Sequence, residues 1–236
     1  MRALLLAAGI GSRLRPITST IPKCLVPIHG RPLLDIWLDH LFKAGIERVL
    51  INTHYLPEQV QDFVSGSEWA SQVDLVHEER LLGTAGTIRA VRDYFRGADY
   101  LTAHADNLTD FDVAAFREAH EHRPENCAMT MLPFETDDPQ SCGILELDED
   151  RVVQMFHEKV ENPPGNLANA AVYILGDEIA DYIESRKGEC SDLSTQVIPG
   201  FVGRIYCADL TPYHRDIGNL QSLERAHVEY QPDWKV

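Results

Sequence analysis

Nowhere in the 236 residues does an apolar run approach the roughly 18 that a membrane-spanning helix needs. The five cysteines, at 24, 127, 142, 190 and 207, include no C-x-x-C pair. Their odd number argues against a disulfide framework, so reduced thiols in a cytoplasmic protein are expected. There is no internal repeat, low-complexity tract or interdomain linker. Basic residues are few: 21 Lys and Arg stand against 37 Asp and Glu, for a formal net charge of −16. That balance argues against nonspecific binding to nucleic acid or to an anionic membrane. What is present is ordinary for a globular domain, 44% apolar and 25% charged. Collagen-like, coiled-coil and disordered chains are excluded.

One further absence is local. No Asp or Glu precedes Asp35, whereas Arg2, Arg13, Arg15, Lys23 and Arg31 all lie in that opening segment. On so acidic a protein, a basic opening implies an anion site. The apolar stretch after Met1-Arg2 is only as long as a buried strand. It runs into Gly9-Ile10-Gly11-Ser12-Arg13, so it reads as a strand and not as a signal peptide.

Apolar β-branched runs alternate with helix-period segments through the first half. Strands are predicted over 2–8, 48–52, 73–77 and 99–104, and helices over 32–44, 57–65, 85–95 and 112–122. This rhythm predicts an α/β fold, a Rossmann-like and mostly parallel sheet flanked by helices. Further strands are predicted over 126–134, 143–147, 151–157, 168–175 and 203–208, with helices over 177–186 and 219–230. The hairpin-like part is expected to form a small antiparallel insertion over the site. A single domain, 1–236, is expected, in two parts of about 1–125 and about 126–236.

Ligands of such sheets sit beyond the carboxyl ends of the strands, where Gly9, Gly11 and Asp106 fall. Glycines directly after a strand let backbone N–H groups close on phosphate. A dinucleotide fingerprint fails here, because Leu14 stands at its third glycine and no acid ends the second strand at Asn52-Thr53. A Walker A loop fails for want of G-K-[ST]. Taken singly, Asp106 and Asp216 could be caps or turn residues, and Glu158-Lys159 a solvated pair. Cys24, inside the basic loop, has no partner base and reads as inert packing. His120 and His122 lie on different faces of one helix and make no metal pair.

The order of motifs adds to this. Gly9-x-Gly11-Ser12-Arg13-Leu14-x-Pro16-x-Thr18, followed by Pro22-Lys23, resembles the signature of the sugar-1-phosphate nucleotidyltransferases. Glu79 with Leu82-Gly83-Thr84-Ala85-Gly86 resembles the family's nucleobase loop, in its mannose- and heptose-1-phosphate guanylyltransferase form. His104-Ala105-Asp106-Asn107 stands where the family has G-D. Cys142-Gly143, Glu158-Lys159 and Asn169-Ala170-Ala171 resemble its sugar-side motifs, and Asp216-Ile217-Gly218 its D-I-G. The resemblance runs from residue 2 to about 225. Departures are Ala105 and Ala171 for glycines, Cys142 for an aromatic residue and Val160 for a proline, which leave the sugar open.

The resemblance implies a transferase that takes an NTP and a sugar 1-phosphate to NDP-sugar and pyrophosphate, with GTP and a mannose- or heptose-type sugar favoured. It implies catalytic Arg13, Lys23 and Asp106. Nucleotide contacts would come from Ala8, Gly9, Gly11, Ser12, Arg13, Lys23, Glu79, Gly83, Thr84 and Asp106. Sugar-phosphate contacts would come from Asn107, Gly143, Glu158, Lys159 and Asn169. Mg²⁺, with Mn²⁺ as a substitute, would be held by Asp106 and Asp216. UTP, CTP or dTTP enzymes, a choline-phosphate cytidylyltransferase and a catalytically silent sugar-nucleotide sensor are the alternatives. A homo-oligomer is left open. A member without an appended hexapeptide β-helix is expected.

Overall fold

In the computed structural model, residues 1–186, 188–209 and 211–232 are described. The strands in chain order are β1 (Arg2–Leu6), β2 (Pro27–Ile28), β3 (Arg31–Pro32), β4 (Arg48–Thr53), β5 (Val73–His77), β6 (Tyr100–His104) and β7 (Asn107–Asp110). They continue with β8 (Met129–Glu135), β9 (Gly143–Leu147), β10 (Val153–Glu158), β11 (Leu167–Leu175), β12 (Ile205–Cys207) and β13 (Tyr213–Asp216). The helices are α1 (Leu33–Lys43), α2 (Pro57–Gly66), α3 (Thr84–Ala90), α4 (Arg92–Phe95), α5 (Val113–Glu121), α6 (Asp177–Ser185), α7 (Leu193–Gln196) and α8 (Leu220–Glu229). The chain is mixed α/β, with a largely parallel central sheet flanked by helices.

Local chemistry accounts for the helix ends. Asp112 and Asn219 cap α5 and α8, accepting from Ala115 N–H and Ser222 N–H at 2.9 Å each. Pro57 opens α2. Helix α1 buries Leu33, Leu34, Ile36, Trp37, Leu38 and Leu41 on one face, and Gly45, at φ 81°, ends the turn that follows it. The segment predicted as one helix over 85–95 is broken at Val91 into α3 and α4. The predicted strand 2–8 ends at Leu6, where the chain turns into the glycine loop.

The chain forms two compact units. Among the described residues, one comprises 2–81, 103–110 and 213–232; the other comprises 82–102 and 111–212. The chain passes between the units after Leu81, within β6, after β7 and before β13.

In the first unit β1, β4 and β5 lie parallel, with Leu6 opposite Asn52 and Thr53 opposite His77. A separate antiparallel ladder pairs β7 with β13. In the second unit β8 runs antiparallel to β11 and parallel to β12, and β9–β10 form the expected hairpin. The two strands β7 and β13 escape the periodicity reading, being short and polar (NLTD and YHRD).

Candidate active site

In the first unit the loop after β1 folds into three short 3-10 turns, Ser12–Leu14, Ile17–Ser19 and Lys23–Leu25. Gly11 has φ 65°, and a Cβ there would lie 3.1 Å from Thr18 Cγ2 and 3.2 Å from Lys23 Cβ. Only glycine suits both the conformation and the space. The Thr18 hydroxyl donates to Gly11 O at 2.7 Å and closes the loop. The result turns Lys23 inward, 5% exposed, while Ser12 and Arg13 face solvent and Ala8 is buried.

Lys23 Nζ donates to Asp106 Oδ2 at 3.0 Å and to Asp216 Oδ1 at 2.8 Å. Arg13 lies 3.5 Å from the other oxygen of Asp216. A Cβ on Gly9 would be 3.8 Å from Asp106 Oδ2, so the glycine loop passes directly over this carboxylate. A Cβ on Gly218 would approach Asp216 Oδ2 to 2.8 Å and Arg13 to 3.0 Å; the glycine of D-I-G makes room for that pair.

Asp106 follows β6, as the sequence predicts, and directly precedes β7. Asp216 is not at the end of the strand predicted over 203–208; it ends β13, opposite Asn107 in the β7–β13 ladder. Asn107 is itself buried, and its carbonyl accepts from Trp37 Nε1–H at 2.9 Å.

Burial works against the charge of Lys23, but Asp106 and Asp216 overcome it and raise its pKa above the ordinary value. Burial likewise pushes the Asp106 carboxyl up, and the charges of Lys23 and His104 more than offset it. His214, pushed down to about 3 chiefly by burial, is neutral beside Thr109, whose hydroxyl lies 2.9 Å from its Nδ1. Burial pushes the Cys24 thiol up to about 12, which agrees with inert packing.

The two carboxylates meet at one point and offer hard oxygens, which suits Mg²⁺. Among the described residues no group of three or more His, Cys, Asp or Glu converges on a metal position. The protein would therefore supply two carboxylates, and substrate oxygens and water the rest, a common arrangement for Mg²⁺. The ammonium of Lys23 already offsets the repulsion between the aspartates, so their proximity alone does not require a cation.

The other candidates lie in the second unit, except Glu79, which is exposed in the first. Gly83 has φ 75°, and a Cβ there would meet Ser191 O at 2.3 Å. Thr84 Oγ1 accepts from Leu193 N–H at 2.7 Å, which ties this turn to the start of α7. Gly143 leaves space for two side chains of β10: a Cβ would lie 2.5 Å from Phe156 Cζ and 2.7 Å from Glu158 Oε2. Lys159, mostly exposed, has its Nζ 3.3 Å from Glu158 Oε1. Asn169 donates to Tyr173 OH at 2.6 Å and accepts from Ala171 N–H at 2.9 Å, which bridges an irregularity in β11. Ala171 sits there at φ 55°, the left-handed region that favours glycine.

Two residues of the first unit were missed by sequence reasoning. Asn52 and Glu78 are 2% and 6% exposed and hydrogen-bonded to each other at 2.9 Å. The available signal was an amide at the end of β4, where a dinucleotide fold would carry an acid.

Residues 2–232 match the family model described as Nucleotidyl transferase. A mannose-1-phosphate guanylyltransferase of Mycobacterium tuberculosis is 31% identical over 96% of this chain and 64% of its own length. A mannose-1-phosphate guanyltransferase of Candida albicans is 29% identical over 97% of this chain and 67% of its own. The chain thus spans about two thirds of the length of these curated relatives. A Bacillus anthracis protein crystallised with sucrose shares the fold, with a TM-score of 0.84 and 23% identity over 97% of this chain and 94% of that one.

Proposed function

The chain belongs to the nucleotidyl transferase family, and on that premise we propose that it transfers a nucleotidyl group from an NTP to a sugar 1-phosphate. The observation that carries this reading is the convergence of Lys23, Asp106 and Asp216 against a glycine loop. A phosphate oxygen of the sugar 1-phosphate attacks the α-phosphorus. The bond from that phosphorus to the bridging oxygen breaks, and pyrophosphate leaves with the electron pair. The attacking phosphate is already ionised at neutral pH, so no side-chain base is needed. Catalysis is then a matter of positioning and charge.

In this reading the loop Ala8–Lys23 wraps the triphosphate. Arg13 faces solvent and meets the phosphates, while Lys23 keeps the aspartates in place and lends its charge to the leaving group. Mg²⁺ or Mn²⁺ held by Asp106 and Asp216 would neutralise charge between the reactant phosphates. By the family resemblance, Glu79, Gly83 and Thr84 would contact the nucleobase, and Asn107, Gly143, Glu158, Lys159 and Asn169 the sugar phosphate. GTP with a mannose- or heptose-type sugar is favoured by the Leu82–Gly86 motif and by what the two curated relatives are named for.

The test is a matrix of NTPs against sugar 1-phosphates, read by pyrophosphate release. Turnover with GTP and mannose or heptose 1-phosphate is expected. Preference for UTP, CTP or dTTP would redirect the base assignment. Turnover with phosphocholine in place of a sugar would make it a cytidylyltransferase of that class. No release with any pair would leave a silent sugar-nucleotide sensor.

A further inference from the structure

The in-register pairing of β1 with β4 stops at Leu6 and Asn52. The next residue, Ala7, is the first peptide of the loop and the first beyond the ladder. Its N–H donates to Asn52 Oδ1 at 2.7 Å, so a side-chain amide takes over where the strand leaves off. The other end of the same amide, Nδ2, donates to Glu78 Oε1 at 2.9 Å. Glu78 is fixed in turn: its N–H donates to Thr53 O at 2.8 Å, and its carbonyl lies 2.7 Å from His54 Nδ1. On the opposite side Ala105 N–H donates to Leu6 O at 3.0 Å.

Ala7, Ala8 and Gly9 have no side-chain polar group with which to hold themselves. A buried amide or carboxylate is costly unless it is hydrogen-bonded, and this pair satisfies that requirement partly through the loop's own backbone. The direction in which the chain leaves β1 is therefore set from β4 and β5.

We propose that Asn52 and Glu78 are a positioning pair for the triphosphate loop. Neither touches substrate; they act through the Ala7 peptide, and the inference rests on the loop's proposed role in binding NTP. Asn52→Asp keeps an acceptor for Ala7 but sets a second carboxylate against Glu78. Adding Glu78→Gln restores the link with donor and acceptor exchanged.

The experiment compares Asn52→Asp, the double variant Asn52→Asp/Glu78→Gln, and Asn52→Leu. Asn52→Asp should raise KM for NTP about tenfold or more, leaving KM for the sugar 1-phosphate little changed, as a displaced binding loop would. The double variant should regain most of the loss. Without substrate, Asn52→Leu should speed amide hydrogen exchange in residues 3–14 and leave β8–β11 unaltered. Equal rises in both KM values, a double variant no better than the single one, or unchanged exchange in 3–14 would overturn the proposal. Should Asn52→Leu fail to fold, the same exchange measurement on Asn52→Asp replaces it. If the wild-type protein releases no pyrophosphate with any substrate pair, the functional reading falls, and hydrogen exchange decides the positioning claim separately.

Discussion

The side-chain nitrogen of Lys23 lies 2.8 Å from Oδ1 of Asp216, 193 residues further along the chain. The same nitrogen holds Asp106, so one buried ammonium joins the opening loop to Asp216, which pairs with Asn107 in the β7–β13 ladder, and to Asp106, the residue just before Asn107. Removing one partner of such a cluster leaves buried charge without a counter-charge.

Lys23→Ala should therefore lower both kcat, by about 10²-fold, and thermal stability. Arg13→Ala, at an exposed side chain, should lower kcat without a comparable loss of stability. Adding Asp216→Asn to Lys23→Ala should recover stability but not turnover. Steady-state kinetics beside thermal melts test this; near wild-type turnover in both single variants would remove the loop from the chemistry.

Chelation should separate the role of the aspartates from that of Lys23. Activity should vanish with EDTA and return with Mg²⁺ or Mn²⁺. Asp106→Asn and Asp216→Asn should fold yet lose most turnover, with little rescue by excess Mg²⁺. Substantial activity of either variant at low Mg²⁺ would exclude them as the metal's ligands.

Lys159→Ala should weaken sugar 1-phosphate binding and leave NTP binding largely intact. Calorimetric titration of each substrate alone reads this directly. Loss of NTP affinity with sugar-phosphate affinity kept would reverse the assignment.

Ala171 occupies a left-handed conformation where the family pattern has glycine. Ala171→Gly should relieve about 0.5–1 kcal/mol of strain and raise the melting temperature by about 2 °C. A lower melting temperature would show that the Asn169 bridge depends on the methyl group.

Asp99 provides a pH test remote from these residues. A hydrogen bond with His120 holds its carboxyl below the ordinary range, against the opposing effect of burial and with help from Arg123. A depressed folded-state pKa contributes stability above the unfolded value, about 4, and loses it as pH falls through the lower folded value. Wild type should therefore melt above Asp99→Asn near neutrality, and the gap should close below about pH 4. Because Asp99 is exposed, the gap should be modest. A gap that persists unchanged into acid would show that the hydrogen bond does not depend on charge.

Much of the architecture was legible from apolar periodicity. The spans of α1, α2 and β5 lie within a residue or so of their predicted limits; the two helices each bury an apolar face and are bounded by Pro32, Gly45, Pro57 and Gly66. The β7–β13 ladder was not legible. Its residues carry no alternation of apolar and polar character, and each strand is defined by a partner about a hundred residues away. The Asn52–Glu78 link was hidden for the same reason, since the two residues are 26 apart in sequence and meet only in the folded chain.

By itself the sequence determined the α/β alternation, the basic glycine loop and the list of charged residues that a phosphate chemistry would need. These are local properties, readable from periodicity, from glycine's freedom and from charge. Only the tertiary structure decided that Lys23 points inward to two aspartates, that Asn52 takes over from the strand at Ala7, and that Ala171 adopts a glycine's conformation. Each of these depends on where distant backbone ends up, and a short polar segment carries no signal of its partner until the chain is folded.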